Sequence, residues 1–389
     1  MCTTGLRSPY AAGMTREVLL GEVLEVLDQA FPPRMAEPWD RVGLVCGDRE
    51  QPVRKALLAV DPAETVVDEA VELGVDLLLV HHPLLLRAVH SVSADGFKGR
   101  VLQRLVRHQI ALYTAHTNAD AAPGGANDAL ADLIGLTGTR PLQPGTEQRL
   151  SLVCYLPEAD LDRALDAAAA AGAGTIGDYR RCGWSTTGTG TYQAGEHTHP
   201  VIGAAGEQTS TGEARLEMVL PAARAEQVLA AVRAAHPYEE PALHLLTQHP
   251  APAGWGTGRV GTLPEPLTLR QLAERLAGRL PATAQGVRVS GPADAEVTTV
   301  ALCTGSGDSL FAEARASGAD VYVTADLRHH PACEAREHRR DGRPYLVDLS
   351  HWASEWPLLP RAAAVLTPLL GEQAVTVSTR RTDPWTFRV

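Results

Sequence analysis

Two adjacent imidazoles, His81 and His82, close the run Val75-Asp76-Leu77-Leu78-Leu79-Val80 and are followed at once by Pro83. A short, mostly apolar run of this kind reads as a strand buried on both faces of a parallel sheet. Open α/β sheets place their ligands at the carboxyl ends of such strands. Pro83 stops the strand, which puts both rings at the sheet rim rather than in the core. Neighbouring residues of an extended chain point opposite ways. One tetrahedral ion therefore rarely takes both rings, whereas two neighbouring ions can take one each. The plain alternative is a pair of polar residues making ordinary hydrogen bonds at a strand end.

A second group is Asp348-Leu349-Ser350-His351-Trp352-Ala353-Ser354-Glu355. Tyr345–Val347 ends a strand and Ser350 suits a helix N-cap. On the helix that follows, His351 and Glu355 lie one turn apart and share a face, so they can grip a single metal. The alternative is an exposed hydrogen-bonded pair. A third group follows the strand Ala111–Ala115, where His116, Asn118 and Asp120 come in close succession. Asp120 can ligate or bridge metals, with His116 and Asn118 as orienters behind it. Alone, Asp120 reads as a cap or turn residue ahead of Pro123-Gly124-Gly125. Taken jointly, three strand ends carry His or carboxylate at what should be one rim. Such a set suits Zn, Fe, Mn or Ni and exceeds what one tetrahedral ion needs. Two ions roughly 3.5–4 Å apart with a bridging water fit it.

The elements that must position these groups alternate between helix and strand. Over residues 14–146 the pattern gives helices at Thr15–Gln29, Thr65–Leu73, Arg100–His108 and Ala126–Ile134, with strands at Ala56–Val60, Leu77–Val80 and Ala111–Ala115. Residues 258–389 resume the same alternation. Their helices are Leu269–Leu280 (Thr268 as N-cap), Leu310–Ser317 and Pro331–Glu337, and their strands Val297–Thr304, Val321–Thr324 and Tyr345–Asp348. Alternation of this kind implies a mostly parallel sheet with crossover helices. Between them, Leu152–Pro157 with the Ala-rich helix Leu161–Ala171 is echoed by Leu216–Pro221 with the helix Ala225–Ala235. A β-Pro-α unit repeated once suggests a small βαββαβ, ferredoxin-like domain. Gly188–Gly206, rich in Gly and Thr, reads as a hairpin or surface loop. The expectation is one α/β sheet sandwiched by helices, formed by residues 14–146 and 251–389, with an α+β domain inserted at 147–250 and Pro250–Gly254 as a return linker. Residues 1–13 read as a disordered extension or as lying upstream of a misplaced start, since Met14 opens the first helix.

Composition narrows the chemistry. The chain has 389 residues, room for two or three domains. Its 44% hydrophobic and 21% charged residues are ordinary for a soluble globular protein. No apolar stretch reaches the roughly 20 residues that span a bilayer, and the start lacks the pattern of a secretory signal. A cytoplasmic protein is expected. The net charge of −11 argues against nucleic-acid binding through a basic surface. Lys55 and Lys98 are the only lysines and neither sits in a phosphate loop, which sets aside Schiff-base chemistry and a Walker-type site. The six cysteines form no CxxC pair, so a metal here must use His and carboxylate.

The segments Leu79-Val80-His81-His82-Pro83-Leu84, His116-Thr117-Asn118-Ala119-Asp120 and Asp348–Glu355 resemble the signatures of the Nif-three-like family, whose members are also called GTP cyclohydrolase I type 2 homologues or dinuclear-metal-centre hexameric proteins. Trp39-Asp40-Arg41-Val42-Gly43-Leu44, Cys303-Thr304-Gly305-Ser306-Gly307 and Tyr322-Val323-Thr324-Ala325-Asp326 agree with it. The resemblance covers most of residues 14–389. The inserted domain resembles the nitrogen-regulator-like or cation-tolerance-like module of longer members, with His236-Pro237-Tyr238-Glu239-Glu240-Pro241 a matching feature.

The resemblance implies metal ligands at His81, His82, Asp120, His351 and Glu355, two divalent ions per chain, and a homohexamer built as a trimer of dimers. The chain departs from the family at Ala325, where Gly is usual, at His329, where Tyr usually precedes a His, and at Thr304, where a smaller residue is usual. His116, Asn118, Asp326 and His330 are implied as residues that orient the ligands or face the substrate. The rim loop Thr304–Ser309, with Thr304, Gly305 and Ser306, offers a backbone nest for an anion such as a phosphate, or is simply a tight turn. The function expected is metal-assisted hydrolysis of a small molecule: a nucleotide, cyclic amidine or phosphoester. The rival is a metal chaperone, sensor or regulatory protein without turnover.

Overall fold

The computed structural model describes residues 17–338 and 340–389. The expectations for residues 1–13, for Met14 as a start, and for the first residues of the helix at Thr15 lie outside that range. The chain divides into two compact units, one of residues up to Gly145 and from Gly254 onward, the other Thr146–Ala253.

Along the first unit run α1 (Leu20–Ala30), β1 (Gly43–Cys46), β2 (Ala56–Ala59), α2 (Glu64–Leu73), β3 (Leu77–Val80), α3 (Phe97–Arg107), β4 (Ala111–Thr114), α4 (Thr117–Ala121), α5 (Ala126–Ile134) and β5 (Thr137–Glu147). The second unit contributes β6 (Arg149–Leu156), α6 (Leu161–Ala170), β7 (Trp184–Gln193), β8 (Gln208–Pro221), α7 (Ala225–Ala235) and β9 (Leu243–Thr247). The first unit resumes with β10 (Ala251–Thr268), α8 (Leu269–Arg279), β11 (Arg288–Ser290), β12 (Glu296–Ser306), α9 (Phe311–Ala316), β13 (Val321–Ala325), α10 (His329–Glu337), β14 (Tyr345–Leu349), α11 (His351–Glu355), α12 (Leu358–Leu370) and β15 (Val375–Val377).

Unit 1 holds two sheets, not the single one that alternation suggested. The first has the order β1-β4-β3-β2-β15, the second β11-β14-β13-β12-β10-β5. In the first, β15, β2, β3 and β4 pair in parallel and β1 adds an antiparallel edge. In the second, β12, β13 and β14 are parallel, with β10 and β11 antiparallel to their neighbours. Local pattern does not tell one long sheet from two shorter ones, because strand partners are chosen across long stretches of chain. The stretch read as a return linker, Pro250–Gly254, lies largely in β10.

The period of two along each parallel strand explains how both faces are covered. In β3, Leu77 and Leu79 pack against α1 and α12, while Leu78 and Val80 pack against α2 and α3. In β13, Val321 and Val323 face α5 and α8, and Tyr322 faces α9 and α10. Each buried Leu or Val contributes about 1.5–3 kcal/mol relative to exposure. Arg259 of β10 is buried and fully bonded, to both oxygens of Asp128 on α5 and to the carbonyls of Gly256, Gly258 and Ala122. Unit 2 has the element order βαββαβ and an antiparallel sheet of order β7-β8-β6-β9, whose helix-covered face is packed with Leu152, Cys154, Leu216 and Met218. Among the described residues no helix is long and apolar enough to cross a membrane.

Candidate metal centre

Three strand ends converge in unit 1. β3 runs out at Val80 into His81-His82, β4 runs out at Thr114 toward His116 and α4, and β14 runs out at Leu349 into α11. The first two belong to one sheet and β14 to the other, so the cluster draws on both sheets rather than on the one rim expected.

The two imidazoles do not diverge. Their ring centroids are 5.1 Å apart and tilted by 44°. Both have left the strand, where alternation no longer applies. His81 is fully buried rather than at the rim. Its Nε2 lies 3.5 Å from Glu355 Oε1 and 3.7 Å from Asp120 Oδ1. His82 Nε2 lies 2.9 Å from Glu355 Oε2, and His351 Nε2 2.9 Å from Glu355 Oε1. His351 and Glu355 share the face of α11 that their spacing requires, and Ser350 caps that helix by accepting the Ala353 N–H.

His116, expected behind the ligands, belongs among them by position. A ligating atom from each of His81, His82 and His116 lies within 4.8 Å of the others, and the same holds for His82, His351 and Glu355. Asp120 falls in neither set. It stands in the short helix α4, where its Oδ1 accepts from Thr304 Oγ1 at 3.3 Å.

Every ring is aimed from behind. His81 Nδ1 lies 2.8 Å from the Ala115 carbonyl, His82 Nδ1 2.7 Å from Asp61 Oδ1, His116 Nδ1 2.9 Å from Asp40 Oδ1 and His351 Nδ1 2.6 Å from Asp326 Oδ2. These partners only accept, so each Nδ1 carries a proton, and a ring that loses its second proton turns the lone pair of Nε2 inward. Asp326 takes a left-handed backbone, φ 55°, to reach His351. Asn118 plays a different part. It is buried, donates to the Phe31 carbonyl and accepts the His116 N–H, which fixes the turn out of β4.

The charges explain one another. Burial alone would raise Glu355, but the imidazoles of His82, His351 and His81 hold its carboxyl well below the usual range. Burial would depress His82 and His351, but Glu355 with Asp61 pushes the first up to about 10, and Glu355 with Asp326 pushes the second up to about 11. Burial raises Asp120 against the pull of His81. One atom stays unsatisfied: His81 Nε2 is buried with no hydrogen-bond partner among the described residues, while Glu355 Oε2 meets His82 Nε2 at 2.9 Å. Buried polar atoms without partners are costly, and lone pairs converging on one point are what a cation satisfies.

The anion nest expected at Thr304–Ser309 is corrected. Thr304 and Gly305 lie on β12, and their N–H groups are taken by Asn127 Oδ1 and Ser354 Oγ at 2.9 Å each, so they have none to offer. Gly305 instead makes room for the cluster, since a Cβ there would meet Glu355 Oε1 at 2.4 Å. Ser306 is exposed. His330 is exposed on α10 and meets His329 edge-on, away from the cluster's contacts. Sequence reading missed Asp61 and gave Asp40 no role. Asp61 follows the strand run Ala56–Val60, and asking what stands after each parallel strand finds it. It also accepts from Thr382, and that C-terminal residue with Asp383 and Trp385 lines a cavity of about 270 Å3 beside His82, His351 and Asp326.

Comparisons with known proteins agree over nearly the whole chain. The model of the family Duf34/NIF3 (NGG1p interacting factor 3) matches residues 18–384. A Mycobacterium tuberculosis protein called GTP cyclohydrolase 1 type 2 homolog is 48% identical over 371 residues, covering 95% of this chain and 97% of that one. A Bacillus subtilis protein of the same name is 35% identical over 379 residues, covering 96% and 100%. The crystal structure of a Bacillus cereus protein related to NIF3 matches with a TM-score of 0.81 at 32% identity, covering 96% of this chain and 100% of that one.

Proposed function

The chain belongs to the Duf34/NIF3 family, and from that premise we propose that it is a metal-dependent hydrolase with a dinuclear centre, acting on a nucleotide or on a cyclic amidine or phosphoester. The observation that carries the reading is His81 Nε2, buried without a hydrogen-bond partner beside Glu355, in a cluster where His82, His116, His351 and Glu355 also bring ligating atoms together. His81, His82, Asp120, His351 and Glu355 hold two divalent ions of Zn, Fe, Mn or Ni, with His116 as a further ligand. Bound there, such ions supply Lewis acidity toward a water and the scissile group.

The protein's own groups do the rest. Ala115 O, Asp61, Asp40 and Asp326 keep the Nδ1 protons and so fix which nitrogen faces inward. Asp120 and Glu355 offset the positive charge. The cavity lined by Trp352 and Trp385 receives the substrate beside His351. The names of the mycobacterial and bacillar relatives favour a purine nucleotide.

Residues 147–250 form an inserted ferredoxin-like module in this reading, on the element order βαββαβ and the strand order β9-β6-β8-β7. Six chains assemble as a trimer of dimers, in the cytoplasm. The deciding experiment loads anaerobically purified protein with each metal, measures metal per chain, and screens nucleotides, cyclic amidines and phosphoesters for turnover. Two ions per chain, with turnover lost in a folded His351→Ala variant, support the proposal. A ratio well below two removes the dinuclear centre. No turnover, with fast transfer of metal to an apo-acceptor, replaces the hydrolase by a metal-handling protein.

A further inference from the structure

The segment His236-Pro237-Tyr238-Glu239-Glu240-Pro241 takes no part in the metal cluster, and all its contacts described below lie within unit 2. Buried His236 fixes its course. Its Nδ1 accepts the Tyr238 N–H at 3.0 Å, so its Nε2 carries the proton and donates to the Tyr155 carbonyl at 2.9 Å. Tyr238, Glu239 and Glu240 thereby line a cavity of about 370 Å3, whose other wall is the β7–β8 hairpin with Tyr192 and Glu213, and whose floor includes Tyr155. That volume falls within the range of small-molecule sites, about 300–1,000 Å3.

Glu213 is placed rather than merely present. The Tyr238 hydroxyl donates to its Oε1 at 2.9 Å, and no hydrogen bond to its Oε2 is found among the described residues. Its carboxylate lies against Gly190, where a Cβ would come within 2.1 Å of Oε2. The backbone of Gly190 is not left-handed, so a Cβ there would act on the carboxylate alone, by displacing it from its present place. The Tyr192 and Tyr238 rings stand 6.4 Å apart beside it. No Lys or Arg lines the cavity. The nearest arginine on the same strand, Arg215, is held by Glu217 at 2.8 Å. The three-ligand metal groups among the described residues lie elsewhere, at His81, His82, His116, His351 and Glu355.

We infer that this cavity binds a small organic cation, an ammonium or guanidinium group on an apolar stem. Aromatic faces attract such a cation. A carboxylate with an uncommitted oxygen adds a charge-assisted hydrogen bond; Arg215 lies over the Tyr155 ring and is paired with Glu217, which leaves Tyr192, Tyr238 and Glu213 for the ligand. The tyrosines accommodate the stem, which a bare metal ion lacks.

Calorimetry on the full chain at physiological salt tests this with agmatine, spermidine and choline, against neutral butyramide, inorganic phosphate and Zn2+. At least one organic cation is expected to bind once per chain. Glu213→Gln weakens it by about tenfold, the loss of one charge-assisted contact. Gly190→Ala, which keeps every charge but pushes the carboxylate aside, weakens it comparably, and it carries the test should Glu213→Gln fail to fold by circular dichroism. His351→Ala leaves the affinity unchanged. No binding of any of the three cations overturns the inference. So does binding undiminished in both cavity variants, binding lost in His351→Ala, or butyramide, phosphate or Zn2+ binding this cavity as tightly.

Discussion

At the scale of residues, the cluster is a carboxylate ringed by imidazoles, each imidazole held by an acceptor of its own. This has a consequence for protons. His82 and His351 are raised to about 10 and about 11, so without a cation both are charged at neutral pH. Metal binding requires neutral rings and must release those protons. Titration of Zn2+ near pH 7 in buffers of different ionisation enthalpy is expected to give buffer-dependent heats, and affinity should rise with pH. Heats independent of buffer would remove the charged-ring account. In the metal-free protein the sign is the other way. A raised folded pKa stabilises fully below the unfolded value near 6.5, and that stability is lost as pH rises through about 10 to 11. The acceptors behind the rings can be tested as well. Asp326→Ala removes the acceptor that fixes His351, and chelator competition should show metal affinity falling about 10–100-fold with the fold retained. An unchanged affinity would make Asp326 a bystander.

At the scale of elements, short local signals decide where the ligands stand. Ser350 caps α11 and also donates to Asp383, while Thr268 caps α8 in a reciprocal box with Gln271. Either cap replaced by Ala costs about 1 kcal/mol. Thr268→Ala should lower the denaturation midpoint and leave metal affinity alone, whereas Ser350→Ala should lower both, because α11 carries His351 and Glu355. The Arg259–Asp128 pair joins β10 to α5, and removing one partner strands the other. Asp128→Ala is therefore expected to destabilise unit 1 by about 3–5 kcal/mol in denaturant unfolding. A change under about 0.5 kcal/mol, the level of an ordinary surface substitution, would show that the buried guanidinium finds other partners.

At the scale of the whole molecule, the ligands all lie in unit 1 and the Tyr238 cavity lies in unit 2. Metal should thus stabilise one unit selectively. Calorimetric scans with metal at a hundred times its Kd should shift the transition of unit 1 by the equivalent of about 2.7 kcal/mol and leave that of unit 2 in place. Equal shifts in both would show that the units unfold together. The proposed assembly is checked by sedimentation, where six chains are expected and a monomer would exclude the ring.

How much of this was legible in the sequence follows from which signals are local. The apolar runs ending in His81-His82 and Asp348–Glu355 gave strands, their ends and the shared face of α11, because side-chain period and capping are fixed within a few residues. The βαββαβ order of unit 2 could be read from its repeated β-Pro-α motif in the same way. Tertiary structure decided what depends on partners distant in the chain. It split the α/β region into two sheets and brought β14 of one to β3 and β4 of the other. It turned His81 and His82 toward the same centre, added His116 to them, and consumed the Thr304 and Gly305 amides that had looked free. It set Asp61, with Thr382 more than three hundred residues away, behind His82. A residue's type and neighbours state what it can do. Which other groups share its space is settled by strand pairing and packing, and those contacts lie far apart in sequence.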